Sequence, residues 1–170
     1  MSMIPNQHWG VVSQDEMARI SAEARHRGET VVFTNGCFDI LHMGHVSYLQ
    51  QARYQGNILL VGVNSDLSVQ KLKGSGRPFN GAKDRAGVVA ALASVSAVSI
   101  FDDDTAISIL EQVRPDVYVK GGDYSADPAV STYPVEARTI SMYGGRLQII
   151  PFETGYSTTA LIKRIQNSKS

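Results

Sequence analysis

The sequence predicts an α/β fold, a doubly wound five-stranded parallel sheet with helices on both faces. Three observations carry that expectation. Short apolar, β-branched runs recur without the polar alternation of a half-exposed strand, as in strands covered on both sides. A stretch of helical patterning separates each run from the next. Glycine-bearing turns follow several of the runs at one end.

The elements follow in order. Ser13-Gln14-Asp15-Glu16 reads as a capping box opening a helix that ends near Gly28. Thr30 to Thr34 is the first strand, closed by the turn Asn35-Gly36. A helix over His45 to Tyr54 leads to the strand Ile58 to Val63, and a loop rich in Gly and Lys spans Ser65 to Gly81. A helix covers Ala82 to Ala93, Val95 to Phe101 is the third strand, Thr105 to Val113 a helix, and Asp116 to Val119 the fourth strand, closed by Gly121-Gly122. Pro134 to Tyr143 reads as helix and Arg146 to Ile150 as the fifth strand. Thr158 to Ile165 is the last helix, with Ser157 or Thr158 as N-cap. Ser125 to Thr132 is the least patterned segment. Residues 1–29 form an N-terminal helical segment and 30–170 the ligand-binding domain, one compact body together.

Sixteen basic residues balance sixteen acidic ones, so no overall field draws the chain to nucleic acid or to an anionic membrane. The single cysteine, Cys37, forms no intrachain disulfide. The N-terminus lacks a basic flank followed by an apolar core, and the apolar runs are too short to cross a bilayer, so a reducing cytoplasm is expected.

Sheets of this kind bind ligands beyond the carboxyl ends of their strands, where strand order reverses. That directs attention to the loops after Phe33, Val63, Val119 and Ile150. The first reads Thr34-Asn35-Gly36-Cys37-Phe38-Asp39-Ile40-Leu41-His42-Met43-Gly44-His45. His42 and His45, three apart, share one side of a helix start, and Gly44 between them leaves room for a ligand. A phosphate there meets free amides, the positive end of a helix and two imidazoles. A bare histidine pair is also compatible with ordinary surface residues or a metal site; the neighbourhood supplies no further ligands for tight zinc.

The motif TNGCFDILHMGH resembles the HxGH signature of the nucleotidyltransferase superfamily in its cytidylyltransferase-like branch, whose fold is Rossmann-like. Further segments, Val63 to Asp66, Lys71 to Gly74, Arg77-Pro78, Asp84-Arg85, Lys120 to Tyr124 and Gly155 to Thr159, resemble in order the adenylyltransferase module of the bacterial ADP-heptose synthase family. The resemblance covers about Thr30 to Ile165 and makes 30–170 a nucleotidyltransferase domain.

It implies transfer of AMP from ATP to D-glycero-D-manno-heptose 1-phosphate, giving ADP-heptose and pyrophosphate for the lipopolysaccharide inner core. The catalytic candidates are His42, His45, Lys73 and Thr34. Nucleotide contacts fall to Asn35, Gly36, Cys37, Phe38, Gly44, Lys71, Arg77, Arg85, Lys120, Gly121, Asp123, Tyr156, Ser157, Thr158 and Thr159. Acceptor candidates are Asp39, Asn64, Asp66 and Tyr124. Asp39 also suits a turn cap or a partner for a histidine, Arg77 and Arg85 suit either phosphate or the surface, and Ser157 to Thr159 suits a helix cap as well as a phosphate cradle. Cys37, lacking an activating partner, reads as a small turn residue. Magnesium accompanies the ATP, with no protein ligand assigned. The resemblance further implies the stand-alone form, a separate sugar kinase upstream, and a possible homodimer. The competing readings are a cytidylyltransferase for glycerol 3-phosphate or a related alcohol phosphate, and a nucleotide-binding regulatory domain without turnover.

Overall fold

A computed structural model describes residues 10–151, 153 and 155–168. Residues 1–9 of the expected N-terminal segment lie outside it. Five strands, β1 (Val31–Gly36), β2 (Ile58–Asn64), β3 (Ala97–Phe101), β4 (Val117–Gly121) and β5 (Arg146–Ile150), form one parallel sheet in the order β3-β2-β1-β4-β5. The order reverses between β1 and β4, where Val32, Phe33 and Thr34 pair with Val117, Tyr118 and Val119. The helices are α1 (Gln14–His26), α2 (Met43–Arg53), α3 (Asp66–Lys73), α4 (Ala82–Ala90), α5 (Ile107–Val113), α6 (Ala137–Met142) and α7 (Thr158–Asn167).

The uniformly apolar strands bury both faces, as a parallel sheet requires. On one face Val31, Phe33, Leu60, Phe101 and Tyr118 pack against Met17 of α1, Ile109 and Leu110 of α5 and Ile140 of α6. On the other, Val32, Leu59, Val61, Val98 and Val119 meet Leu49 and Ala52 of α2 and Ala86 and Val89 of α4. Helix α1 thus shares its core with the sheet, and Val11 pairs alongside Val98 at the β3 edge.

Three expectations change. The Ser65 to Gly81 loop contains α3, because the Ser65 hydroxyl accepts from the Ser68 amide and starts a helix that Gly74 ends at φ +93°. The capping box of α1 is half formed: Ser13 accepts from the Glu16 amide, while the Glu16 carboxylate turns to Arg19. The sixth helix starts at Ala137 rather than Pro134, since Pro134 accepts from Ala137 in a turn that precedes it. Among the described residues no helix is long and apolar enough to cross a membrane.

Candidate active site

The carboxyl end of β1 feeds α2 through residues 37–42. Two histidines open that helix. His42 is the extended N-cap (φ −145°, ψ 170°) without a side-chain capping bond, so first-turn amides of α2 stay open, as at any uncapped helix start. The imidazoles of His42 and His45 stack with centroids 3.9 Å apart, and the Phe38 ring meets His45 edge-on at 5.6 Å. The Nδ1 atoms of both histidines are buried and have no hydrogen-bond partner among the described residues. A buried, unsatisfied polar nitrogen costs about 1–3 kcal/mol, so a polar partner brought to this pair would be favoured.

Burial lowers the His42 pKa. For His45, burial, then the His42 and Lys73 charges, bring it to about 4. Both rings are neutral at pH 7, and an anion placed among them favours the protonated form. Lys73, the last residue of α3, forms no ion pair among the described residues and stands close enough to bear on His45 and on Cys37.

From the opposite side comes the start of α7. Ser157 is its N-cap and accepts from the Ala160 amide at 3.0 Å; Thr158 is half-buried and Thr159 exposed. The Tyr156 ring lies parallel to His42 at 6.3 Å. A Cβ on Gly44 would fall 2.7 Å from Tyr156 Cβ and 3.0 Å from His42 Nδ1. The space expected for a ligand at Gly44 is therefore taken by the chain entering α7, and the glycine permits that approach.

Several predicted contacts are spent on architecture instead. The Thr34 hydroxyl is buried 2.7 Å from the Tyr48 phenol, and both reach the Val119 carbonyl, at 2.9 and 3.2 Å. This closes the β1–β4 seam and engages the Thr34 hydroxyl there. Asp39 accepts from Arg77 at 2.6 Å and from the Phe79 and Asn80 amides at 2.7 and 3.2 Å. Burial pushes its carboxyl up, but the Arg77 hydrogen bond, the two amides and the Arg77 charge together hold it below the ordinary value. Arg77 also lies 4.5 Å over the Phe79 ring. Arg85 is buried with every group engaged: Nε on the Asn80 carbonyl, Nη1 on the Cys37 carbonyl and Nη2 on Asp66 at 2.8 Å. Asn64 is buried against Ser68. Asp39, Arg77, Arg85, Asn64 and Asp66 therefore form a clamp that seats α3 and the 77–81 turn on the 37–39 loop. In this structure the charges of Asp39, Arg77, Arg85 and Asp66 are paired with one another. Lys71 is exposed and paired with Asp104 at 2.9 Å.

The second group lies at the end of β4. Asn35 Oδ1 accepts from the Tyr118 hydroxyl at 2.8 Å and from Lys120 Nζ at 3.4 Å. The Lys120 ammonium sits 4.5 Å over the Tyr124 ring. Gly121 ends the strand; Asp123 and Tyr124 are on the solvent side. Gly36 packs its α-carbon beneath Phe38, whose backbone is left-handed at φ +47°. Burial raises the Cys37 thiol pKa against the opposing charges of Lys73, Arg85 and Arg77, which keeps it an inert turn residue.

The structure therefore gathers His42, His45, Phe38, Lys73, Tyr156 and Ser157 at one mouth, with Asn35, Lys120 and Tyr124 beside them. Sequence reasoning missed Tyr48, Tyr118 and Glu136. Tyr48 was within reach, since it falls three residues after His45 on the same helix face, and Tyr118 shares a strand face with Lys120; Glu136 gave no signal. Among the described residues no group of three or more His, Cys, Asp or Glu could hold a metal ion.

Comparison with known proteins agrees with this geometry. The cytidylyltransferase-like family model matches residues 33–164. The bifunctional protein HldE of Pseudomonas paraeruginosa is 48% identical over 157 residues, covering 92% of this chain and 32% of that protein. HldE of Geobacter sulfurreducens is 47% identical over 91% of this chain and 31% of that protein. The chain thus spans about a third of the length of these curated relatives. A crystal structure of the lipopolysaccharide core biosynthesis protein from Thermoplasma volcanium superposes with a TM-score of 0.59 at 25% identity, covering 76% of this chain and 100% of that one. With the switch-point cleft, the histidine-opened α2 and a family match running from β1 into α7, this chain belongs to the cytidylyltransferase-like family.

Proposed function

We infer that the chain is an adenylyltransferase that moves AMP from ATP to a sugar 1-phosphate, D-glycero-D-manno-heptose 1-phosphate, yielding ADP-heptose and pyrophosphate for lipopolysaccharide inner-core synthesis in the cytoplasm. The observation that carries the reading is the stacked His42–His45 pair with two buried, unpartnered Nδ1 atoms beside Lys73. The two HldE relatives, at 47–48% identity over nearly the whole chain, support the choice of acceptor.

In this reaction a phosphate oxygen of the acceptor forms a bond to the α-phosphorus of ATP. The bond from that phosphorus to the β-phosphate bridging oxygen breaks, and pyrophosphate leaves with the electron pair. The acceptor phosphate is already ionised, so no nucleophilic side chain and no general base is needed. What remains is alignment of two anions and neutralisation of charge that builds in the transition state. His42 and His45 take up the phosphates of ATP, becoming protonated as they do. Lys73 and the α7 start at Ser157 to Thr159 hold the pyrophosphate side. Lys120, Asn35 and Tyr124 face the acceptor. Magnesium travels as the chelate of ATP and neutralises part of its charge. Residues 30–170 carry the chemistry, with α1 packed against the same sheet, and a sugar kinase activity supplies the sugar 1-phosphate.

The test is pyrophosphate release from the purified protein given ATP or CTP with each of heptose 1-phosphate and glycerol 3-phosphate. Release with ATP and the heptose, reduced at least about 100-fold in His42→Ala, is expected. Release with CTP and glycerol 3-phosphate alone would sink the assignment.

A further inference from the structure

The site has one buried cation whose counter-charge is not in contact with it. Lys120 is 6% exposed, and its Nζ has a single hydrogen-bond partner among the described residues, Asn35 Oδ1 at 3.4 Å. An ammonium carries three donors, and burying it without compensation costs several kcal/mol. The Tyr124 and Tyr118 rings, at 4.5 and 5.4 Å, recover part of that.

Glu136 is a buried charge on the same side, also 6% exposed, whereas the buried Asp39 and Arg85 are paired elsewhere. Its placement follows from topology. Lys120 and Tyr118, two apart on β4, point to the same sheet face, and Tyr118 belongs to the core beneath α5 and α6. These helices follow β3 and β4, so they run back along the strands and present their amino ends at the carboxyl pole of the sheet. Glu136 immediately precedes α6, and its Oε1 accepts from the Ala106 amide, which immediately precedes α5, at 3.3 Å. It therefore lies at the pole and on the face where Lys120 ends. No ion pair within 4.0 Å joins them among the described residues, and the two buried groups interact without direct contact.

We propose that Glu136 is a positioning residue for Lys120, its fixed carboxylate supplying the buried counter-charge that holds the ammonium charged and aimed at the acceptor's phosphate. The proposal rests on the reading that Lys120 meets the acceptor. Burial works to lower the Lys120 pKa, and Glu136, followed by Cys37, works to raise it. The titratable groups facing Lys120 are Cys37 from the 37–39 loop, Tyr118 from β4, Tyr124 from the following turn and Glu136 at the N-cap of α6. The three other than Glu136 are ordinarily uncharged at neutral pH, so Glu136 is the carboxylate among them and the larger of the two groups that raise the Lys120 pKa.

Glu136→Gln keeps the shape and the bond from Ala106 and removes only the charge. Lysine-labelled protein, free of any ligand, gives the Lys120 titration by NMR. The expected result is a downward move of about one pH unit, equivalent to tenfold in proton affinity, with Glu136→Asp restoring most of it. At pH values above the wild-type Lys120 titration the KM for the sugar phosphate rises about tenfold, and less below it, while that for ATP stays within about twofold. In the wild type the Glu136 carboxyl carbon must also register the Lys120 titration, a readout that needs no variant to fold. An unchanged Lys120 titration in folded Glu136→Gln, or no such inflection in the wild type, overturns the proposal. Failure of the functional reading is a separate outcome, namely no pyrophosphate from the wild type with any sugar phosphate, and the ligand-free titration still decides the role of Glu136.

Discussion

The depressed pKa of His45 makes folding stability depend on pH in a calculable way. Its folded pKa is about 4 against an ordinary 6.5, because burial and the neighbouring His42 and Lys73 charges oppose protonation. The unfolded chain takes up this proton as pH falls through 6.5, whereas the native chain resists until about pH 4. Stability from this group is therefore fully present above pH 6.5 and is lost progressively down to pH 4. At about 1.4 kcal/mol per pH unit the ceiling is near 3 kcal/mol, and partial exposure of the ring brings the expected loss to about 2 kcal/mol. The assay is urea denaturation of wild type and His45→Gln at pH 7.5, 6, 5 and 4. The variant cannot take up the proton, so its stability should fall less over that range, and the difference between the two curves isolates His45. Parallel curves would refute the argument that burial holds the ring neutral. The same linkage predicts that ATP binding takes up protons near pH 7, because the bound phosphates favour imidazolium. Calorimetry in two buffers of different ionisation enthalpy measures the uptake, which His45→Gln should reduce.

Gly44→Ala drives a methyl into Tyr156 Cβ at 2.7 Å, so α7 must shift; a loss of about 1–3 kcal/mol is expected by thermal melting, with a larger proportional loss of pyrophosphate release. Arg85→Met unpairs Asp66 and the Cys37 and Asn80 carbonyls together, which should cost about 2–4 kcal/mol in denaturant, far more than a phosphate-binding surface arginine would. Tyr48→Phe removes one partner of Thr34 at the β1–β4 seam and should cost about 1 kcal/mol in the same assay, with little effect on the KM for ATP.

The strands were legible because unbroken apolar runs such as Ile58 to Val63 have no other stable use at that length, and the parallel sheet follows from helices between them. The α2 mouth was legible because His42, Gly44 and His45 are tied by sequence spacing alone. What escaped was anything decided by who pairs with whom across the fold. Arg85 and Asp39 look like phosphate and substrate groups in a string of letters, yet each meets an opposite charge 19 and 38 residues away. Helix α3 was hidden because Gly74, Gly76 and three lysine and arginine residues outweighed one serine cap. The space expected at Gly44 went to the chain at Tyr156, which lies more than a hundred residues later and could not be read from local spacing.

Under the proposed function, alternation at the end of β1 separates the groups that would hold the two anions. Successive strand residues face opposite sides, so Thr34 goes to the α2 face, where it ties Tyr48 to Val119, and Asn35 goes to the α5 and α6 face, where it ties Tyr118 to Lys120. The strand then ends, and the chain beyond it carries the imidazoles on the first side while Lys120 and Tyr124 remain on the second. Each side has its own polar anchors and its own cationic group, with the edge of β1 as the divider. Two phosphates brought to this edge repel each other, and the energy that holds them must come from separate partners rather than one shared residue. For an in-line displacement that separation is an advantage, since the nucleophile and the leaving group must sit on opposite sides of the phosphorus being transferred.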